Sequence, residues 1–375
     1  MPIQKSLPLS LTLCLGFTSL AAPAQQDAQV RINQIQVIGT HNSYHAGIAP
    51  SEAKLWKQRN PKQYQALDYR HPSLTTQLNA GVRQIELDIY ADTKGGLYAH
   101  PAGPGLVAQA GLPADPDFDP QHLMDKPGFK VMHVQDLDYR SNCQPFTACL
   151  AEVRAWSKAH PQHLPIFILV ETKQSPLKTA FPTTMPETFT PAIFDALDQE
   201  IESVFPGDET ITPDQVRGAH ATLEESVLAG GWPTLAEARG KVVFLMDQSK
   251  MGPIYLDGHP SLKGRVLFTN ATPGTPDAAF TEQNDSSAAV IAAIVSKGYL
   301  VRTRADSDTK QAQANDTSRR DEVLGSGAQI LSTDYPASET APSGYSVSLP
   351  GGAIARCNPV LKPAGCVDSL LEAKQ

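Results

Sequence analysis

Glu86 and Asp88, two residues apart in VRQIELDIY (82–90), place two carboxylates on the same face of an apolar extended segment. Buried side by side, such groups repel each other unless a cation or a proton lies between them. The spacing recurs in PIFILVETK (165–173), which ends on Glu171 and Lys173, and a third segment, IQVIGT, runs into His41, Asn42 and Ser43. Three carboxylates and the carbonyl oxygen of Asn42 make an all-oxygen ligand set, which suits a hard cation such as calcium or magnesium and not zinc. Beside it, His41 and His133 each follow an apolar segment, where two imidazoles can flank one substrate as general base and general acid. His100, in GGLYAHPAG (95–103), follows what reads as a hairpin and is the rival for the second histidine's place. Arg302 and Arg304 share a face of YLVRTR (299–304) and either grip a phosphate in bidentate fashion or neutralise Glu86 and Asp334. The remaining histidines, His45, His71, His122, His160, His163, His220 and His259, read as satisfied core or surface residues.

These side chains need a frame that brings strand ends together. Eight short segments rich in Val, Ile, Leu and Phe recur at 35–40, 82–90, 130–134, 165–171, 241–247, 264–270, 299–304 and 328–334. Runs of this kind are what buried parallel strands look like. Amphipathic stretches lie between them, clearest at 146–160, 191–205 and 286–298. Strand alternating with helix predicts an α/β fold, and eight strands in a chain of this length predict a TIM-like (β/α)8 barrel in a single domain. An open doubly wound sheet is the rival, but no Gly-x-Gly-x-x-Gly turn follows the first strand, so nucleotide binding has no support. Two connections are long: the Pro- and Gly-rich stretch 91–129, and the link between the fourth and fifth strands. Loops of that size carry function or cover a barrel mouth.

Composition narrows the setting. Of 375 residues, 41% are hydrophobic and 19% charged, which is globular, and 31 basic against 39 acidic residues give a net charge of −8. That balance argues against a nucleic-acid partner. The opening MPIQKSLPLSLTLCLGFTSLAAPAQQ has one lysine, an apolar run from Leu7 to Leu20 and the small-residue pattern Ala22-Pro23-Ala24. It predicts a secretory signal peptide over 1–24, with cleavage after Ala24 and a soluble mature catalytic domain over 25–375, secreted or periplasmic. Cys14 lacks the small residues expected ahead of a lipid-attachment site. The other four cysteines, Cys143, Cys149, Cys357 and Cys366, form an even set for an oxidising compartment. Of the three pairings, the two local ones are favoured because short loops close readily.

The motifs IGTHNSYH (38–45), QLNAGVRQIELDIYAD (77–92), GLYAHPAG (96–103), FKVMHVQDLDYRSNC (129–143), LPIFILVETK (164–173), VRTRAD (301–306) and GAQILSTDYP (327–336) together resemble the secreted bacterial calcium-dependent phosphatidylinositol-specific phospholipases C, within the PLC-like phosphodiesterases. The resemblance spans nearly the whole mature chain. It implies that His41 and His133 are the catalytic pair, that Asn42, Glu86, Asp88 and Glu171 hold Ca2+, and that Lys173 contacts the phosphate. It further implies a phospholipid substrate at a membrane surface and diacylglycerol and a cyclic or linear inositol phosphate as products; no protein partner is implied, and a monomer is expected. Two other readings share the architecture: a glycerophosphodiester phosphodiesterase or sphingomyelinase-D-like enzyme, and a non-catalytic secreted binding protein. The latter has no need of two imidazoles beside three carboxylates.

Overall fold

The computed structural model describes residues 22–372, so nearly all of the leader expected at 1–24 lies outside the described residues. Ala22–Asp27 form a short helix whose Asp27 accepts from Arg239 and whose Gln26 accepts from the Val367 amide. The cleavage expected after Ala24 falls inside that helix.

Among the described residues nine strands make one sheet: β1 (Ile35–Thr40), β2 (Gln84–Tyr90), β3 (Lys130–Val131), β4 (Ile166–Thr172), β5 (Val242–Met246), β6 (Phe280–Glu282), β7 (Leu300–Arg304), β8 (Ile330–Thr333) and β9 (Ala355–Cys357). Seven are parallel, in the order β5-β4-β2-β1-β8-β7-β6, and form a nearly closed TIM-like barrel in a single domain. Every residue of β1, β2 and β5 is buried, as strands covered on both faces require. Gly39 is needed where it stands: a Cβ there would lie 1.9 Å from Gln84 Oε1, because the Gln84 side chain crosses its register partner.

Two of the eight expected strands are corrected. The segment 130–134 is not a parallel barrel strand; only Lys130 and Val131 are extended, and they pair antiparallel with β2, leaving His133 on the loop beyond. The segment 264–270 makes no ladder either. It crosses the gap between β5 and β6 through two single bridges, Leu245 with Phe268 and Asn270 with Phe280. The strand that does lie there, β6, is only three residues long, too short for its apolar pattern to register.

Helices pack the outer face by the expected periodicity. Phe146–Ala159 buries Phe146, Cys149, Leu150, Val153 and Trp156, a spacing of three and four that lines one side. Pro191–Val204 does the same with Phe194, Leu197 and Ile201, and its Thr190 caps the first turn by accepting from the Ile193 amide. The cysteines pair locally, Cys143 with Cys149 and Cys357 with Cys366. Near its end the chain returns to the amino-terminal side of the barrel, where Glu372 pairs with Arg83 and accepts from the Leu164 amide.

Candidate active site

The carboxyl ends of the parallel strands converge on one polar cluster. His41 follows β1 directly, and its Nδ1 lies 2.7 Å from Asp334 Oδ1, just past β8. Arg304 on β7 reaches both partners, with Nη1 3.2 Å from His41 Nε2 and Nη2 3.3 Å from Asp334 Oδ2. A guanidinium only donates, so Nε2 accepts and the proton sits on Nδ1, shared with Asp334. Burial, then the charges of Arg304 and Arg302, hold the His41 imidazole well below its ordinary range, which keeps it neutral. The next residue, Asn42, turns the chain with φ of 47°, a left-handed conformation that asparagine tolerates better than most residues. Its Nδ2 donates to the Tyr69 hydroxyl at 2.7 Å, which leaves its buried Oδ1 without a partner.

Glu86, Asp88 and Glu171 each bring an oxygen into one group within 4.8 Å. Register explains the closeness, since Asp88 and Glu171 are direct partners across β2 and β4. The chain's own cations meet part of the charge. Arg302 Nη2 lies 2.5 Å from Glu86 Oε2, while Lys173 Nζ lies 2.9 Å from Asp88 Oδ2 and 2.8 Å from Glu171 Oε2. Burial, followed by the neighbouring Glu171 charge, pushes the Asp88 carboxyl well up; burial also raises Glu86, to about 7, against the pull of Arg302. Glu171 moves the other way: burial raises it, but Lys173 together with His133 and His41 outweighs that and lowers it. Asp88 Oδ1 has no donor at all, and Oδ2 faces Lys173 outside hydrogen-bond geometry. A carboxylate trio with no nitrogen or sulfur ligand, together with unpartnered buried oxygens on Asp88 and on Asn42, fits a hard divalent cation.

The second imidazole is held from another side. His133 Nδ1 donates to Asp138 Oδ2 at 2.8 Å, and the same carboxylate receives His45 Nε2 at 2.9 and 3.0 Å. Asp138 is buried, yet the two histidines hold it below the usual carboxylate range. Burial lowers the His45 imidazole, but Asp138 overrides this and its pKa is raised. His133 is lowered by burial, against Asp138. His41 and His133 are each about one-fifth exposed, at 18% and 20%, so solvent and solutes reach both. His100 is placed elsewhere: it is exposed and lines a cavity of about 420 Å³ with Glu52, Asp115, Phe118 and Arg140, apart from the carboxylate trio.

The family model of Ca2+-dependent phosphoinositide phospholipase C matches residues 30–359. The chain belongs to this family. Its members are phosphodiesterases that cleave phosphatidylinositol. Among solved structures, the calcium-dependent phosphoinositol-specific phospholipase C of a Pseudomonas species aligns with a TM-score of 0.53 at 16% identity, over 88% of this chain and 96% of that one. The calcium-dependent phosphatidylinositol-specific phospholipase C of Streptomyces antibioticus aligns with a TM-score of 0.50 at 18% identity, over 81% and 95%. At such identities the two support the shared barrel. No curated protein matches the sequence.

Within this phospholipase C barrel, His41, Asn42, Glu86, Asp88, Glu171, Lys173, Arg302 and Arg304 meet at one mouth, and His133 joins them from the loop after β3. The neutralising reading of the arginine pair is what the contacts match: Arg302 pairs with Glu86 and Arg304 with Asp334, and Arg304 also reaches His41 Nε2. Four acidic or imidazole groups of the cluster are ones the sequence reading passed over. Asp138 and His45 form the support behind His133; Asp247 and Glu282, at the ends of β5 and β6, share the charge of Arg302. Asp138 had a signal, since it lies five residues after His133 in a tight turn closed by the Asp138 amide on the Val134 carbonyl. Asp247 was visible as the last residue of its apolar segment. Glu282 had none.

Proposed function

We propose that the protein is a calcium-dependent phosphatidylinositol-specific phospholipase C that cleaves the bond between glycerol and phosphate, giving diacylglycerol and a cyclic inositol phosphate. One observation carries this reading: two solvent-reachable histidines, each oriented by a buried aspartate, stand at the same barrel mouth as a carboxylate trio with unsatisfied oxygens. Asn42, Glu86, Asp88 and Glu171 would hold the cation, which would supply positive charge to offset that of the phosphodiester and to acidify the attacking hydroxyl.

His41 is the general base. Its neutral Nε2 takes the proton of the inositol hydroxyl next to the phosphate, and Asp334 stabilises the imidazolium that results. That hydroxyl oxygen forms a new bond to phosphorus as the bond from phosphorus to the glycerol oxygen breaks. His133 is the general acid in its doubly protonated form: Asp138 holds Nδ1–H and stabilises the imidazolium against the burial that disfavours it, and Nε2–H gives its proton to the departing glycerol oxygen, leaving a neutral imidazole. Arg304, beside His41, adds positive charge where the phosphodiester enters. Opening of the cyclic product by water reverses the two roles. Export to an oxidising compartment agrees with the two disulfides.

The test is turnover of phosphatidylinositol, glycerophosphocholine and sphingomyelin with and without a calcium-selective chelator. Diacylglycerol release from phosphatidylinositol, abolished by chelator and restored by calcium, is expected. Full activity in excess chelator overturns the metal, and turnover of another headgroup in preference overturns the substrate.

A further inference from the structure

Lys173 occupies the place where a cation is wanted. Its ammonium lies within 2.9 Å of oxygens from two of the three clustered carboxylates, Asp88 and Glu171. Calcium bonds oxygen at roughly 2.3–2.6 Å, so a metal gripping Asp88 and Glu171 would share the same few ångströms with the ammonium. A single and a double positive charge at that separation, in a largely buried site, repel strongly. The two cations exclude each other.

We propose that Lys173 is a resident counter-ion of the metal site: calcium must displace it, and the displaced ammonium turns outward to the anionic substrate. The proposal rests on the reading of Asn42, Glu86, Asp88 and Glu171 as calcium ligands. The neighbouring arginine marks the difference in design. Arg302 is 2% exposed and is fixed by Glu86, Glu282, Asn284 and Ser332, so its charge is a permanent part of the barrel. Lys173 is 20% exposed and carries its charge on a flexible four-carbon stem from the residue that follows β4, next to the mouth. Without metal it relieves the repulsion between Asp88 and Glu171. With metal it becomes free for a phosphate. Loading of the cation and creation of an anion site are therefore one linked event, and by reciprocity an anion that captures Lys173 tightens calcium.

Calorimetric titration with calcium alone tests this on the full-length exported protein and its Lys173→Met and Lys173→Arg variants. Removing the competing charge in K173M should tighten calcium by about tenfold or more, lower the melting temperature of the metal-free protein, and enlarge the rise in melting temperature on adding calcium. K173R, which keeps the charge, should bind calcium much as the parent does. If K173M folds only with metal, it is prepared in calcium and its affinity is read by competition with a chelator, where slower and tighter release is expected. Calcium binding by K173M equal to or weaker than the parent's overturns displacement. Absence of calcium binding by the parent overturns instead the ligand assignment beneath it, so the two failures are distinguishable.

Discussion

Asp138 serves two imidazoles at once, and that sharing decides what its loss would do. The carboxylate accepts from His133 Nδ1 and His45 Nε2 together. An asparagine can offer only one acceptor oxygen, and its amide would donate where His133 also donates. Asp138→Asn should therefore misplace the His133 proton and cost roughly 10²-fold or more in kcat, with calcium affinity nearly unchanged. Steady-state kinetics beside calorimetry read both, and parental kcat would remove Asp138 from the mechanism. The same assay ranks the rival histidines. His133→Ala should lose roughly 10²- to 10⁴-fold in kcat, the usual share of one positioned proton-transfer group, while His100→Ala stays near the parent. An equal or greater loss at His100 would transfer the acid to the 91–129 insertion. The place of His41 and of the carboxylate trio at the mouth was legible because strand alternation and strand ends announce it, whereas His133 was read from a strand end that is in fact a loop. Asp138 had only its nearness to His133 in sequence to mark it, since the link between them depends on a loop that folds back on itself.

At the scale of elements, the join between the helix Phe146–Ala159 and β4 carries a buried neutral histidine. His163 Nδ1 donates to the Leu164 carbonyl at 2.6 Å and Nε2 accepts from the Ser157 hydroxyl at 2.7 Å. Burial drives its pKa down to about 4, against the Leu164 hydrogen bond. The unfolded chain, titrating near 6.5, takes up a proton between these values that the folded chain refuses. Stability is thus full above about pH 6.5 and falls as the pH drops toward 4, by roughly 3 kcal/mol from this one group. His163→Gln should flatten that part of the melting profile between pH 7 and pH 4.5; an unchanged slope would place the effect elsewhere. The disulfides act on neighbouring ground. Cysteines 6 and 9 residues apart close short loops, each contributing about 2–3 kcal/mol by the chain-entropy argument. Reduction should lower the melting temperature modestly, and mass spectrometry finding four free thiols in exported protein would contradict the pairing. Both cross-links followed from an even cysteine count in a chain read as exported, with loop length choosing the pairing. The misread elements, 130–134 and 264–270, failed for a shared reason: apolar composition reports burial, and both segments are mostly buried without being parallel strands.

Over the whole molecule, charge and substrate pull in opposite directions. A body with a net charge of −8 is repelled by an anionic bilayer, so approach is opposed at long range, whereas on the proposed reading a cation-loaded mouth draws the phosphate only at short range. Raising monovalent salt from low ionic strength to about 0.15 M should therefore raise the initial rate on phosphatidylinositol vesicles by screening the repulsion. A falling rate would reveal a basic face that the overall balance conceals. The α/β barrel itself was legible from alternation of apolar runs and amphipathic stretches; its imperfect closure was not, because closure depends on pairings between distant segments. That imperfection has a mechanical consequence. At the seam the Phe268 amide and carbonyl bond to β5, and the Ala271 amide bonds to Phe280 on β6, with no ladder behind them. The ring behaves like a bracelet with a clasp. Girth can change there by loosening a few bonds while every other strand pair stays intact, and the residues flanking the clasp are Asp247 and Glu282, the acids that brace Arg302. Amides at 268–271 should thus surrender their protons to solvent deuterium before those of β2 and β4, which are locked on both sides.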